Sequence, residues 1–350
     1  MTTTSADRIF LDDDLESITD FMEDHGWSDG LPIVPPTVGR VEAMLATVPR
    51  DRHEIVAVLA PRYGEATLER IAVNAVMAGC RPAYFPIVVT AVEAMGQPEF
   101  PLLPINTTTN PVAIMCVING PIRHQVKLNC SFGMLGPGVR ANATIGRAIR
   151  LVQLNIAGSI PGKTSMSTQG SPGRYTMCFG EFEEKSPWAP YHVDMGFKAE
   201  DSTVTLAAVT GTTPTSDTSS KTADDLLITL AGTMEWSGVQ TLRYGQGYGW
   251  LLINPDHAEI LGIRGKLSKD EFRQQLFQRT SRFPLERLAP WERDYIRSEN
   301  RANDDGATAK VFPSPDNIRV LVAGGQGGLH ATFCPPFVAS TPVTRKIELH

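Results

Sequence analysis

The sequence predicts an α/β fold of two α/β halves with mostly parallel or mixed sheets, and three observations lead to that prediction. Short continuous apolar runs such as "PVAIMCVING" (111–120) and "STVTLAAVTG" (202–211) are typical of strands buried on both faces. These runs alternate with longer segments of helical periodicity such as "TADDLLITLAGTMEW" (222–236). A similar order of strands and helices returns in the second part of the chain, as a pseudo-duplication would leave it.

The 350 residues exceed what a single hydrophobic core usually holds, and they divide into three predicted parts. Residues 1–50 form an N-terminal helical arm with a Pro-rich loop, "HGWSDGLPIVPPT". Residues 51–195 form the first α/β half, which carries a Gly/Arg loop and a Glu/Trp/His loop. Residues 196–350 form the second half.

The elements follow from periodicity and from the residues that interrupt it. In the arm, acidic and apolar positions alternate with helical spacing over 12–24, and a second helix starts near Val41. The remaining predicted elements of the two halves, besides the runs quoted above, are the strand "EIVAVLA", the helices "GEATLERIAVNAVMAGC" and "FPIVVTAVEAM", the strand-to-helix segment "GWLLINPDHAEILG" and a final strand, "NIRVLVAGG".

Charge and cysteine usage exclude several classes of partner. The net charge of −6 argues against nucleic acid, and no apolar run approaches the roughly 20 residues of a membrane span. The N-terminus has no basic and apolar pattern of a secretory signal. Five scattered cysteines, none in CxxC spacing, fit free thiols in the cytoplasm. We therefore expect a cytoplasmic homo-oligomer with a small-molecule substrate and with neither a nucleic-acid nor a membrane partner.

The Gly/Arg loop, "GMLGPGVRANATIGRAIRLV" (133–152), predicts an anion site. Its glycines allow a close backbone approach, and Asn142 or Thr144 is expected to cap the helix that follows. The amides at that helix start, with Arg140 and Arg147 nearby, would form an anion cradle. The alternative is a tight turn and a capped helix whose arginines pair with carboxylates.

The Glu/Trp/His loop, "GEFEEKSPWAPYH", predicts acid–base chemistry. In an extended segment Glu181 and Glu183 face the same side, and Glu184 points away from them. Paired carboxylates act as acid and base when their surroundings separate their pKa values. Prolines then stiffen the chain and present Trp188 and His192. The alternative is a solvated acidic strand edge followed by a turn.

Three further positions are candidates. Cys80 follows a glycine at a helix end beside Arg81, and it is either a nucleophile or a packed thiol. Asn119, at the end of a buried strand, is a candidate substrate-binding residue. His25 is another, although the alternative is an arm that packs Trp27 on the core.

Metal and cofactor motifs are weak. The seven histidines are dispersed, without HxH, HExxH or a Cys/His cluster, and we therefore predict no metal site. A site assembled from distant residues remains open, with Glu183, His192 and Cys80 as donors. The chain carries no Walker or GxGxxG motif, and any cofactor stays unassigned. The Gly-rich "VAGGQGGLH", which ends at His330, follows a strand where α/β sheets bind ligands.

Several of these segments together resemble a poorly characterised bacterial family. Its members are often labelled as relatives of (seleno)proteins with a U-G-S-C motif. The segments are "WSDGLPIVPPT", "ATLERIAVNAVMAGCRPAYFPIVVTAVEAM", "ANATIGRAIRL", "GEFEEKSPWAPYH" and "NPDHAEIL". The U/C-G-S-C motif itself is absent from this chain, and Ala83 stands where the family pattern has a Glu. The resemblance implies a fold and candidate positions, and it implies no reaction.

Together these observations predict a hydrolase or lyase that acts on a small anionic metabolite in a cleft between the two halves. Arg140 and Arg147 would hold the anion, Glu183 and His192 would transfer protons, and Cys80 would be a nucleophile or a wall of the site. Two alternatives stay open: a thiol-dependent oxidoreductase that uses Cys80, and a small-ligand-binding protein without catalysis.

Overall fold

Two four-stranded sheets pack face to face, and helices cover the outer face of each. The structure is a computed structural model and describes residues 9–338 and 340–349. The predicted α/β fold is confirmed, and both sheets are mixed. Within the described residues no helix is long and apolar enough to cross a membrane.

The strands of the described residues are β1 Ile55–Leu59, β2 Gly64–Thr67, β3 Ala113–Asn119, β4 Cys178–Gly180, β5 Thr203–Val209, β6 Thr213–Ser216, β7 Gly249–Ile253, β8 Phe283–Pro284, β9 Thr308–Ala309, β10 Ile318–Val322, β11 His330–Cys334 and β12 Val343–Lys346.

The helices are α1 Leu15–Asp24, α2 Val38–Leu45, α3 Leu68–Met77, α4 Phe85–Met95, α5 Leu102–Thr107, α6 Ile122–Gln125, α7 Arg140–Asn155, α8 Tyr191–Asp194, α9 Ala223–Ser237, α10 Val239–Tyr244, α11 Pro255–Ala258, α12 Lys269–Arg279 and α13 Pro290–Ser298. A π-helical turn, Glu259–Arg264, continues α11.

The two sheets have comparable strand arrangements. The first has the order β12-β5-β3-β4, in which only β3 and β4 run parallel. The second has the order β10-β7-β11-β6, in which only β10 and β7 run parallel. Two short antiparallel pairs, β1-β2 and β8-β9, lie outside them. The pseudo-duplication and the boundaries at 51 and 196 stay predictions, although β5 and β12 both join the first sheet.

The central strands are apolar at every position because both of their faces are buried. Met115 and Val117 of β3 pack with Trp250 and Leu252 of β7 in the layer between the sheets. The alternate residues of β3, such as Cys116, face the core formed with α3, α4 and α7. A strand that is buried on both faces needs apolar residues at every position.

Two sequence expectations on elements were wrong. The segment 64–80 begins with β2, and α3 starts only after Thr67, whose hydroxyl accepts a hydrogen bond from the Arg70 amide. The segment 317–325 does not hold the last strand, because β11 and β12 follow it. Both later strands are short and contain polar residues, so that their periodicity is weak.

The carboxyl ends of the two parallel pairs, β3/β4 and β7/β10, meet at one end of the molecule. The amide of Phe182, just after β4, donates to the carbonyl of Val322 at 2.7 Å. The amide of Gly324, just after β10, donates to the carbonyl of Cys130 at 2.9 Å. Backbone hydrogen bonds therefore hold together the segments that follow β3, β4 and β10.

Gly120, which directly follows β3, provides a test of this close packing. Its φ is +83°, and a Cβ there would lie 2.1 Å from the carbonyl oxygen of Asp201. We expect Gly120→Ala to lower the free energy of unfolding by more than about 3 kcal/mol, measured by urea denaturation. Gly133 also has a positive φ, +67°, but its Cβ would meet nothing within 4 Å. Gly133→Ala should lose only about 1 kcal/mol, and equal losses would contradict the proposed clash.

Candidate active site

Asn119, the last residue of β3, joins two carboxylates. Its Nδ2 donates to Glu181 Oε2 at 2.6 Å and to Glu183 Oε1 at 2.9 Å. The amide of Gly120 also donates to Glu183 Oε1, at 2.7 Å. Because β3 and β4 are parallel neighbours, the residues that follow them meet at one sheet edge, where α/β sheets bind ligands.

Glu181 is fully buried in this network. Its Oε2 also accepts a hydrogen bond from the amide of Tyr191 at 2.8 Å. Its Oε1 has no hydrogen-bond partner among residues 9–338 and 340–349. Burial raises the pKa of Glu181 to about 7, although the charge of Lys269 and the two hydrogen bonds act in the opposite direction. This carboxyl therefore changes its protonation state near neutral pH.

Arg123 lies beside both glutamates and was not identified from the sequence. Its side chain is only 3% exposed, and its Nη2 forms an ion pair with Glu183 Oε2 at 2.9 Å. Its Nη1 donates to the carbonyl of Glu181 at 2.7 Å, and its Nε donates to the carbonyl of Gly120 at 3.0 Å. A buried guanidinium with this many acceptors fixes the geometry of the loop around Glu183.

Glu184 was expected to point away from the other two glutamates, and that expectation was wrong. The chain forms a 3-10 turn over Glu183–Lys185 rather than an extended segment. Glu184 Oε1 consequently contacts Arg123 Nη2 at 2.9 Å and His124 Nε2 at 2.9 Å. Although burial opposes the effect, hydrogen bonding to Arg123 lowers the pKa of Glu184 to about 2.

Trp188 and His192 follow the glutamates in sequence, Trp188 in the same loop and His192 in α8. His192 is fully buried next to Tyr191, and neither of its ring nitrogens has a hydrogen-bond partner in the described part of the chain. Trp188 Nε1 donates to the carbonyl of Leu267 at 2.8 Å, and its ring stacks on Phe272 at 5.7 Å. The roles of both residues in binding and catalysis stay predictions.

Asn142 positions a loop next to Arg123. The expectation that Asn142 or Thr144 caps its helix was wrong, because α7 already begins at Arg140 and both residues lie inside it. Asn142 Oδ1 accepts from the amide of Asn129 at 2.8 Å, and its Nδ2 donates to the carbonyl of Asn129 at 2.9 Å. The next residue, Cys130, places its Sγ 3.7 Å from Arg123 Nη1.

Arg147 is engaged by the N-terminal arm. Its Nε and Nη2 form a bidentate pair with Asp29, at 2.9 and 2.7 Å, and the Asp29 side chain is only 4% exposed. Arg140 is exposed, and its Nε donates to the carbonyl of Gly79 at 2.9 Å. His25 is exposed and stacks on Phe21 at 4.0 Å. The ion pair of Arg147 with Asp29 agrees with the alternative to the anion cradle, in which the arginines pair with carboxylates of the protein.

The second parallel pair, β7/β10, also has an Asn side chain at its carboxyl end. From the sequence, only the Gly-rich loop after β10 was recognised as a candidate ligand site. Asn254, directly after β7, accepts from the amide of His257 at 3.0 Å and donates to the carbonyl of Gly328 at 2.5 Å. Burial lowers the pKa of the fully buried His257, and the carboxyl of Asp217 partly opposes this. The signal that was missed is that Asn119 ends β3 and Asn254 directly follows β7, with a Pro within two residues of each.

Within the described residues, no group of three or more His, Cys, Asp and Glu side chains is arranged to hold a metal ion. No family model matches the chain, and no curated protein matches it. The resemblance to the family with the U-G-S-C label therefore stays a prediction.

Cys80 packs against α7 and allows a direct test of its reactivity. Its Sγ donates to the carbonyl of Thr144 at 3.2 Å, and burial raises the pKa of the thiol to about 12. We expect iodoacetamide to alkylate Cys80 in the folded protein more slowly than the less buried Cys130, because the thiolate is the reacting form. Peptide mass spectrometry measures both rates at about pH 7.5. Faster labelling of Cys80 would support a nucleophile instead.

The protonation of Glu181 predicts a specific dependence of stability on pH. Since the pKa is near 4.5 in the unfolded chain and about 7 in the folded one, only the folded state keeps the proton between these values. Stability from this group is therefore present below pH 4.5 and is lost as the pH rises through 7. We expect the stability difference between wild type and Glu181→Gln to fall by about 3 kcal/mol over this range, measured by urea denaturation.

A matched control is Glu23→Gln, because Glu23 is exposed on α1. This variant should not reproduce the fall of about 3 kcal/mol expected for Glu181→Gln. Parallel stability curves for wild type and Glu181→Gln would show that Glu181 is ionised throughout.

Proposed function

We propose that this protein is an enzyme, a hydrolase or lyase of a small anionic metabolite, whose proton-transferring pair is Glu181 and Glu183. One observation carries the proposal: a buried carboxyl with a pKa of about 7 shares the Asn119 amide with a second carboxylate that pairs with Arg123. Two neighbouring carboxyl groups in such different surroundings can divide the roles of acid and base.

The properties of Glu181 suit proton transfer. A general acid or base works best when its pKa lies near the operating pH, because both protonation states are then available. The unpartnered Oε1 is the atom that would exchange the proton, since Oε2 is held by Asn119 and Tyr191. Because Glu181 is fully buried, the proposal requires the turn Glu183–Lys185 to move when substrate enters.

The same pair serves either reaction class. In a hydrolysis, one carboxylate takes a proton from water and the other carboxyl protonates the leaving group. In a lyase reaction, the base takes a proton from carbon and the acid again protonates the leaving group. Arg140, exposed at the start of α7, is the proposed contact for the anionic group, because Arg147 is engaged by Asp29.

The experiment is a panel of small carboxylates and phosphates with ester, amide or hydroxyl groups, incubated with the protein in ¹⁸O-labelled water. Mass spectrometry separates the classes, because hydrolysis places ¹⁸O in a product and elimination gives an unsaturated product without it. We expect Glu181→Gln and Glu183→Gln to lower kcat by about 10²–10⁴. The kcat/KM profile of wild type should bend near pH 7, and Glu181→Gln should lose that limb.

The exposed Glu286 supplies the control variant, Glu286→Gln, which should keep full activity. If the two glutamine variants turn over substrate like wild type, the acid–base pair is wrong. Loss of activity on alkylation of Cys80 alone would favour the thiol-dependent oxidoreductase. Binding without turnover, unchanged in Glu183→Gln and His192→Ala, would favour the ligand-binding protein.

We further propose that the protein is a cytoplasmic homo-oligomer without nucleic-acid or membrane partners. The five free cysteines and the net charge of −6 support the location and the exclusion of nucleic acid. Exposed aromatic side chains on α9 and α13, Trp236 at 58% and Trp291 at 61%, support a contact with a further copy.

A further inference from the structure

A buried arginine, Arg150, and a partly exposed one, Arg174, line the same cavity, apart from the glutamate network. Arg150 lies on α7 and is 9% exposed, and Arg174 ends the 3-10 turn Pro172–Arg174. Both line a cavity of about 10 Å³ between α7, this turn and the start of β3. Gln153 and Gly146 of α7 line the same cavity.

The two guanidinium groups have few acceptors. Arg150 Nη2 donates to the carbonyl of Ser159 at 3.2 Å, and its buried Nη1 has no hydrogen-bond partner among the described residues. Arg174 Nη2 donates to the hydroxyl of Ser165 at 2.8 Å. Over residues 9–338 and 340–349, neither arginine forms an ion pair with a carboxylate.

The carboxylate that acts on Arg150, that of Asp29, already forms an ion pair with another arginine. Burial lowers the pKa of Arg150 to about 10, the charge of Arg174 adds to this, and Asp29 opposes it. The carboxylate of Asp29, however, forms its bidentate pair with Arg147. Burial also lowers the pKa of Arg174. The positive charge of Arg150 is therefore buried without a carboxylate partner in the described residues, and a second positive charge, that of the partly exposed Arg174, acts on it.

Such an arrangement is unfavourable unless a counter-ion is present. A buried charge without a partner is strongly destabilising, and a second charge of the same sign nearby adds repulsion. Arginine cannot avoid the cost by losing its proton, since its pKa stays far above neutral pH. The missing component is a negative charge between the two guanidinium groups.

We propose that this cavity binds a monovalent anion of the size of chloride, held between Arg150 and Arg174. The volume of about 10 Å³ is close to that of a single water-sized sphere, which excludes phosphate and sulfate. Chloride is larger than a water molecule, and it fits once the partly exposed side chain of Arg174 moves outward. The unpartnered Nη1 of Arg150 is the donor that the ion would satisfy.

The bound ion would tie the segment that follows α7 to that helix. Arg150 belongs to α7, whereas Arg174 and its partner Ser165 belong to the Gly- and Ser-rich segment between α7 and β4. Thr176 of this segment also donates to the carbonyl of Asn142, at 3.1 Å. The anion is thus a structural ligand, and its presence does not depend on the proposed reaction.

The test uses sodium chloride and sodium gluconate at equal ionic strength, with the wild-type protein. We expect Tm to rise by about 5 °C in chloride, with saturation, and to stay constant in gluconate, because only the folded state binds the ion. Arg150→Met and Arg174→Met should lose this difference. The exposed Arg287 gives the matched control Arg287→Met, which should keep it.

Crystals of wild type in sodium bromide test the site without any variant, in case Arg150→Met does not fold. An anomalous peak between Arg150 and Arg174 confirms the proposal. A cavity that holds only water, together with equal Tm in chloride and gluconate, overturns it.

Discussion

The parallel pairing of β3 with β4 is the constraint on which the candidate site depends. It brings Asn119, at the end of one strand, to Glu181, just past the end of the other. The positive φ of Gly120 then turns the chain so that its amide reaches Glu183. Because these contacts start from a strand pair buried on both faces, the carboxylate of Glu181 is held by the rigid core, whereas Glu183 belongs to the turn that follows it.

The same end of the molecule joins the two sheets. The amide of Phe182, after β4, donates to the carbonyl of Val322 at the end of β10, and the loop after α6 accepts another hydrogen bond from Gly324. Asn142 of α7 holds that loop through both backbone groups of Asn129. The guanidinium of Arg123 contacts Cys130, Glu183 and Glu184. A shift of any of these segments would therefore change the position of Arg123.

Burial affects acidic and basic groups of this protein in different ways. Glu181 can remain neutral by keeping its proton, and its pKa is raised accordingly. Arg150 has no such neutral form near physiological pH, so its burial beside the positive charge of Arg174 creates a need for an external negative charge. Low polarity thus has different consequences at two separate places: it favours an acid that titrates near neutral pH at the strand ends, and it favours a bound anion beside α7.

The sequence by itself determined the fold class, most of the longer elements and the loop that carries the paired glutamates. Continuous apolar strands and helical periodicity are local properties, and they can be recognised without knowing which segments pair. It did not determine the strand order, the short strands β4, β6, β11 and β12, or the partner of any charged residue. Asp29 and Arg147 are separated by 118 positions and Asn119 and Glu181 by 62, so only the tertiary structure decided these contacts. The burial that raises the pKa of Glu181 is likewise a sum over distant segments, which no local pattern contains.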